Sequence, residues 1–99
     1  MPSFLYIEDD FLSRQVMEVI LTVAMGYQDL AIFEDSTDYM ARIKSLSFTP
    51  DVIFLDIHMR PHTGVEILKS LRTEDRYAKS RIVALTASVM NEEVESLRE

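Results

Sequence analysis

The residues best suited to chemistry in this chain are acids, and they stand in two places: Glu8, Asp9 and Asp10 directly after Phe4-Leu5-Tyr6-Ile7, and Asp56 directly after Val52-Ile53-Phe54-Leu55. Each apolar run is short and bounded by turn-forming residues, which is the pattern of a buried strand. Two such strands lying side by side and parallel would deliver both acidic points to the carboxyl edge of a sheet, where open α/β folds place their ligands. Carboxylates crowded at one edge repel one another unless a hard cation neutralises them, so the pattern predicts Mg²⁺ or a close relative. Taken singly, Asp10 reads as a helix cap, Glu8 as a solvated strand end and Asp56 as a turn former. Their conjunction points to a site.

The elements that must position these acids alternate along the chain. Phe4–Ile7 predicts a first strand, and Phe11–Met25 a first helix with Phe11, Leu12, Val16, Val19, Ile20, Val23 and Ala24 on one broad face and Gly26 as its stop signal. Leu30–Phe33 predicts a second strand, after which Ser36 is placed to cap a helix carrying Tyr39, Met40, Ile43 and Leu46 and ending before Pro50. Asp51–Leu55 reads as a third strand, nearly all apolar, as befits a central parallel strand covered on both faces. A loop from Ile57 to Thr63 follows, with Pro61 fixing its backbone and Gly64 available for a positive φ or a close approach. Val65, Ile67, Leu68 and Leu71 supply a third helix; Arg81–Leu85 is a fourth strand that delivers Thr86 to the acidic edge; Asn91 is placed to cap a last segment, Glu92–Glu99. The order βαβαβαβα implies right-handed crossovers and an α/β, doubly wound parallel sheet.

Length and composition narrow the function classes. Ninety-nine residues make one small domain, spanning 1–99, with 47% hydrophobic and 27% charged residues, values of an ordinary globular protein. A net charge of −7 with scattered basic residues argues against direct nucleic-acid binding. Two glycines cannot build a nucleotide phosphate loop. The longest apolar run, Val19–Met25, is too short for a membrane span, Met1-Pro2-Ser3 opens no secretory signal, and cysteine is absent. The expected compartment is the cytoplasm. His58 and His62, two loop histidines without a third ligand, do not make a zinc site.

Three segments in order, Phe4-Leu5-Tyr6-Ile7-Glu8-Asp9-Asp10, Asp51-Val52-Ile53-Phe54-Leu55-Asp56-Ile57-His58-Met59 and Ile82-Val83-Ala84-Leu85-Thr86-Ala87, resemble the receiver domain of two-component response regulators. The resemblance implies a flavodoxin-like fold with strand order 2-1-3-4 here, and a signalling module rather than an enzyme. It implies Asp56 as the phosphoacceptor, and Mg²⁺ held by Glu8, Asp9, Asp56 and the backbone carbonyl of His58. Thr86 would hydrogen-bond the phosphoryl oxygen and move with its loop. A sensor histidine kinase or phosphotransfer protein would be the donor.

Two departures from the family pattern stand out. Receivers usually carry proline four residues after the acceptor, where this chain has Arg60, with Pro61 next. The fifth strand, with its phosphoryl-pairing lysine, and the fifth helix are not found before Glu99, and Lys44, Lys69 and Lys79 belong to other elements. A receiver truncated in this way is expected to leave apolar surface bare and to form a homo-oligomer through it. The alternative function is a receiver-like interaction or self-assembly module that is not phosphorylated. A metal-dependent phosphohydrolase would want an acid-base Asp two residues beyond the nucleophile, where His58 stands.

Overall fold

The computed structural model describes residues 2–85. Strands β1 (Ser3–Ile7), β2 (Asp29–Phe33), β3 (Val52–Asp56) and β4 (Arg81–Leu85) form one parallel sheet in the order β2-β1-β3-β4. Each strand run seen in the sequence is present, shifted by at most one residue at either end. β1 is central and buried along its whole length, which is why it carries no polar alternation. β2 lies at an edge, and its burial falls off toward Asp29.

The sheet has two unlike faces. On one, Leu5, Ile7, Ile53 and Leu55 pack with Ile43 of α2 (Tyr39–Lys44), Ile67 and Leu71 of α3 (Gly64–Arg72), and Met59 and Tyr77. The strand residues of alternate parity point the other way and form an aromatic layer. Phe4 packs at 4.8 Å from Tyr27 and 6.2 Å from Phe54, and Tyr6 meets Phe54 edge-on.

Helix one departs from the sequence expectation. It starts as α1 (Phe11–Glu18) and continues as a π-helical segment, Val19–Ala24, in which the Met25 N–H reaches back five residues to the Ile20 carbonyl. The apolar face counted at α-helical spacing is not the buried one: Phe11, Leu12, Val16, Val19, Ile20 and Val23 are exposed, and Leu21 is the residue of these two segments that is buried. The covered side runs through partly buried Arg14 and Met17 to Leu21, so it is already set in α1 before the π-helical segment begins. Gly26 ends the helix with φ +74°, as its type requires.

Ser36 is not the cap of α2. The position before Tyr39 is Asp38, in left-handed conformation with φ 49° and without a side-chain capping bond. The Ser36 carbonyl accepts the Tyr39 N–H, while its hydroxyl is fully buried and bonded elsewhere. Of the apolar residues that supply the third helix, Ile67 and Leu71 are buried and Val65 is exposed. Thr86, Ala87 and the segment from Asn91 to Glu99 lie outside the described residues. No described helix is long and apolar enough to cross a membrane.

Candidate functional site

Strand register brings the acids together. Ile7 pairs with Leu55 across the β1–β3 ladder, so the residues that follow, Glu8 and Asp56, leave the sheet side by side. Carboxylate oxygens of Glu8, Asp9 and Asp56 lie within 4.8 Å of one another. Asp10 is not among them. It is the N-cap of α1, and its carboxylate accepts the Ser13 N–H at 2.9 Å and the Ser13 hydroxyl at 2.7 Å, bonds that hold its pKa below the ordinary range. Of three consecutive acids, two face the site and one builds the helix behind it.

Glu8 is buried at 7% exposure, whereas Asp9 is exposed and Asp56 is half-buried. Burial, with the Asp56 carboxylate beside it, pushes the Glu8 pKa up to about 8. Tyr6 opposes this by donating its hydroxyl to Glu8 Oε1 at 3.2 Å, and the Asp9 N–H donates to Oε2 at 3.1 Å. Burial first, and Glu8 next, raise the Tyr6 phenol above its usual value, so it remains a donor. Tyr6 was not singled out from sequence, although strand alternation places residues two apart on the same face and so offered the signal.

The turn after Asp56 is held at several points. The His58 N–H donates to Asp56 Oδ1 at 3.1 Å, and the Ile57 N–H donates to the Leu85 carbonyl at 2.9 Å. Met59 is fully buried and anchors the loop in the core, while Arg60 is exposed and is in none of the ion pairs among the described residues. Gly64 opens α3 directly against the end of β3: a Cβ there would stand 2.6 Å from the Asp56 carbonyl oxygen. This is the close approach for which Gly64 was one candidate; its φ is not positive. Thr63 caps α3 by accepting the Glu66 N–H.

The cluster fits a hard divalent cation. Its donors are all carboxylate oxygens, and burial of Glu8 beside the Asp56 carboxylate disfavours its charged form unless a counter-charge is present. His62 lies off this site, its ring against Tyr39 and its Nδ1 3.1 Å from Glu66.

The sequence profile of the response regulator receiver domain matches residues 4–99. The chain belongs to that family. The receiver is 36% identical over 84 residues, 85% of its own length, to the stress response regulator protein 1 of Debaryomyces hansenii, of which it covers 34%. It is also 36% identical over 67 residues to a protein-glutamate methylesterase/protein-glutamine glutaminase 2 of Chromobacterium violaceum, covering 68% of this chain and 18% of that one. The chain spans about a third of the length of the stress response regulators it matches. Among solved structures, the chemotaxis response regulator CheY4 of Vibrio cholerae superposes with a TM-score of 0.73 at 28% identity, covering 85% of this receiver and 67% of CheY4. Fold and strand order are those of a flavodoxin-like receiver.

Proposed function

We propose that this receiver, read as one module over residues 1–99, is the phosphoacceptor of a two-component phosphorelay and switches a partner protein. Asp56 is the acceptor: its carboxylate oxygen attacks the phosphorus of a phosphohistidine on a sensor kinase or phosphotransfer protein. The O–P bond forms, the P–N bond breaks, and the leaving imidazole recovers a proton from solvent. The observation that carries this is the convergence of Glu8, Asp9 and Asp56 within 4.8 Å at the end of β1 and β3.

Glu8, Asp9 and Asp56 would hold Mg²⁺, together with the His58 carbonyl. Bound there, the ion would neutralise the carboxylates and draw charge from the transferring phosphoryl group. Tyr6 holds Glu8, Asp10 anchors helix one behind the acids, and Gly64 lets α3 close on Asp56. Thr86, next after Leu85 of β4, is assigned the phosphoryl hydrogen bond and the switch by the family pattern. The new phosphoryl group adds roughly −1.5 to −2 charge, to which a neighbouring loop must respond. The module works as a signalling protein in the cytoplasm.

Incubation with a small phosphodonor and Mg²⁺ should label the wild type and leave Asp56→Ala unlabelled. Labelling that persists in the variant would remove Asp56 from its role. The second reading, an unphosphorylated self-assembly module, is favoured by the exposed side chains of helix one, with Leu12 at 68% and Val23 at 77%. It predicts dimers in light scattering across a concentration series and no Mg²⁺ binding; a Mg²⁺-binding monomer sinks it.

A further inference from the structure

Two buried serines tie distant loops together at opposite edges of the sheet. At the amino edge, the Ser80 hydroxyl donates to the Pro50 carbonyl at 2.6 Å. At the carboxyl edge, where the acids lie, Ser36 is 0% exposed, and its hydroxyl donates to the His62 carbonyl while accepting the His62 N–H, each at 2.8 Å. A single hydroxyl thus satisfies both main-chain groups of a residue 26 positions away.

His62 sits late in the loop that begins at Asp56. That loop is fixed at its start by the Ile57–Leu85 bond, at its close by the Gly64 N–H to the Ile57 carbonyl at 3.3 Å, and within by buried Met59. Between Met59 and Gly64, the Ser36 bonds are what join the loop's main chain to the β2–α2 connection. Tyr39 reinforces the same point, its ring edge on His62 and its hydroxyl donating to Ser70 Oγ at 2.8 Å.

We propose that Ser36 is a positioning residue for the acidic site: through its paired bonds to His62 it fixes the His58–His62 main chain and thereby sets the site's affinity for a divalent cation. This rests on the proposed cation site of Glu8, Asp9 and Asp56 with the His58 carbonyl, the loop reaching the acids through His58, whose N–H donates to Asp56 Oδ1 at 3.1 Å. Groups outside the ligand set act on affinity by limiting how far the ligands move, and their loss costs on the order of tenfold or more in metal binding.

Calorimetric titration of the full chain with Mg²⁺, comparing wild type, Ser36→Ala and Ser80→Ala, tests it. Ser36→Ala should bind about tenfold more weakly. Ser80→Ala, which loses a buried bond at the far edge, should stay within about twofold of wild type. Equal affinities in the two variants overturn the role of Ser36. Wild type that takes up no Mg²⁺ overturns the cation site itself and this inference with it, a result recognisable because every titration is then flat. Amide exchange in the unmodified protein decides the matter independently of whether Ser36→Ala folds. Because coupling is reciprocal, saturating Mg²⁺ should slow exchange of the His62 N–H beyond that of the Arg81 N–H, which is bonded to the Asp51 carbonyl at the far edge and reports stabilisation of the whole fold; equal slowing, or none, overturns the proposal.

Discussion

Glu8 carries the electrostatic tension of this receiver. Its pKa is raised from 4.5 to about 8, first by burial and then by the neighbouring Asp56, so the folded metal-free protein holds a proton that the unfolded chain releases. Between these two values the folded state binds more protons, and stability falls as pH rises. The contribution is fully present below about pH 4.5 and is lost as pH climbs through about 8. Thermal melts of the metal-free protein between those limits should therefore show a melting temperature that declines toward alkaline pH, and Glu8→Gln should flatten the decline. Mg²⁺ acts in the opposite sense, since a ligating carboxylate must be ionised, so the ion should bind more tightly as pH approaches 8 from below. A pH-independent affinity over this range would mean that Glu8 is not a ligand.

At the scale of elements, the join between β3 and α3 is the most constrained part of the site. Thr63 caps the helix, and Gly64 takes its first position against the Asp56 carbonyl, with no room for a Cβ. Because the obstructing atom is backbone, Gly64→Ala must displace either α3 or the end of β3 rather than a flexible side chain. Overpacking of this kind costs roughly 1–3 kcal/mol. We expect Gly64→Ala to lower the urea midpoint accordingly and to weaken Mg²⁺ binding as well, because the carbonyl it pushes belongs to Asp56 of the acidic cluster. A variant with wild-type midpoint and wild-type affinity would show that the helix yields freely. Helix one is built differently. Its described residues bury Leu21 and present Phe11, Leu12, Val16 and Val23 outward, so substitutions at Val23 should leave the fold intact while those at Leu21 should not.

For the molecule as a whole, the site and the fold are thermodynamically one object. The acids converge only when β1 and β3 are paired, so an unfolded chain offers no such cluster. A ligand that binds only the folded state stabilises it by mass action, by about 2.7 kcal/mol when present at about a hundred times its Kd. Urea unfolding with and without Mg²⁺ should show that displacement of the midpoint, and chelation should reverse it. A midpoint indifferent to Mg²⁺ at millimolar concentration would argue that the cluster is an acidic edge and nothing more.

Much of this receiver was legible in its sequence, because the signals involved are local. Four short apolar runs ending at acids or at the edge of a loop sufficed for the strands: β1, buried along its whole length, leaves no polar alternation to obscure it, and in β3 the partly covered Val52 and Phe54 are apolar as well. Parallel order followed from the intervening helices, and with it the carboxyl edge as the place for Glu8, Asp9 and Asp56. What only the tertiary structure decided depends on partners far away in the chain. Asp9 faces Asp56 while Asp10 turns back to Ser13, a choice that three consecutive acids do not reveal. Ser36 precedes a helix and yet serves His62, because the burial of its hydroxyl is set by a loop 26 residues on. The apolar stripe of helix one faces outward for the same reason: periodicity says which side chains share a side, and only the assembled sheet says which side is covered.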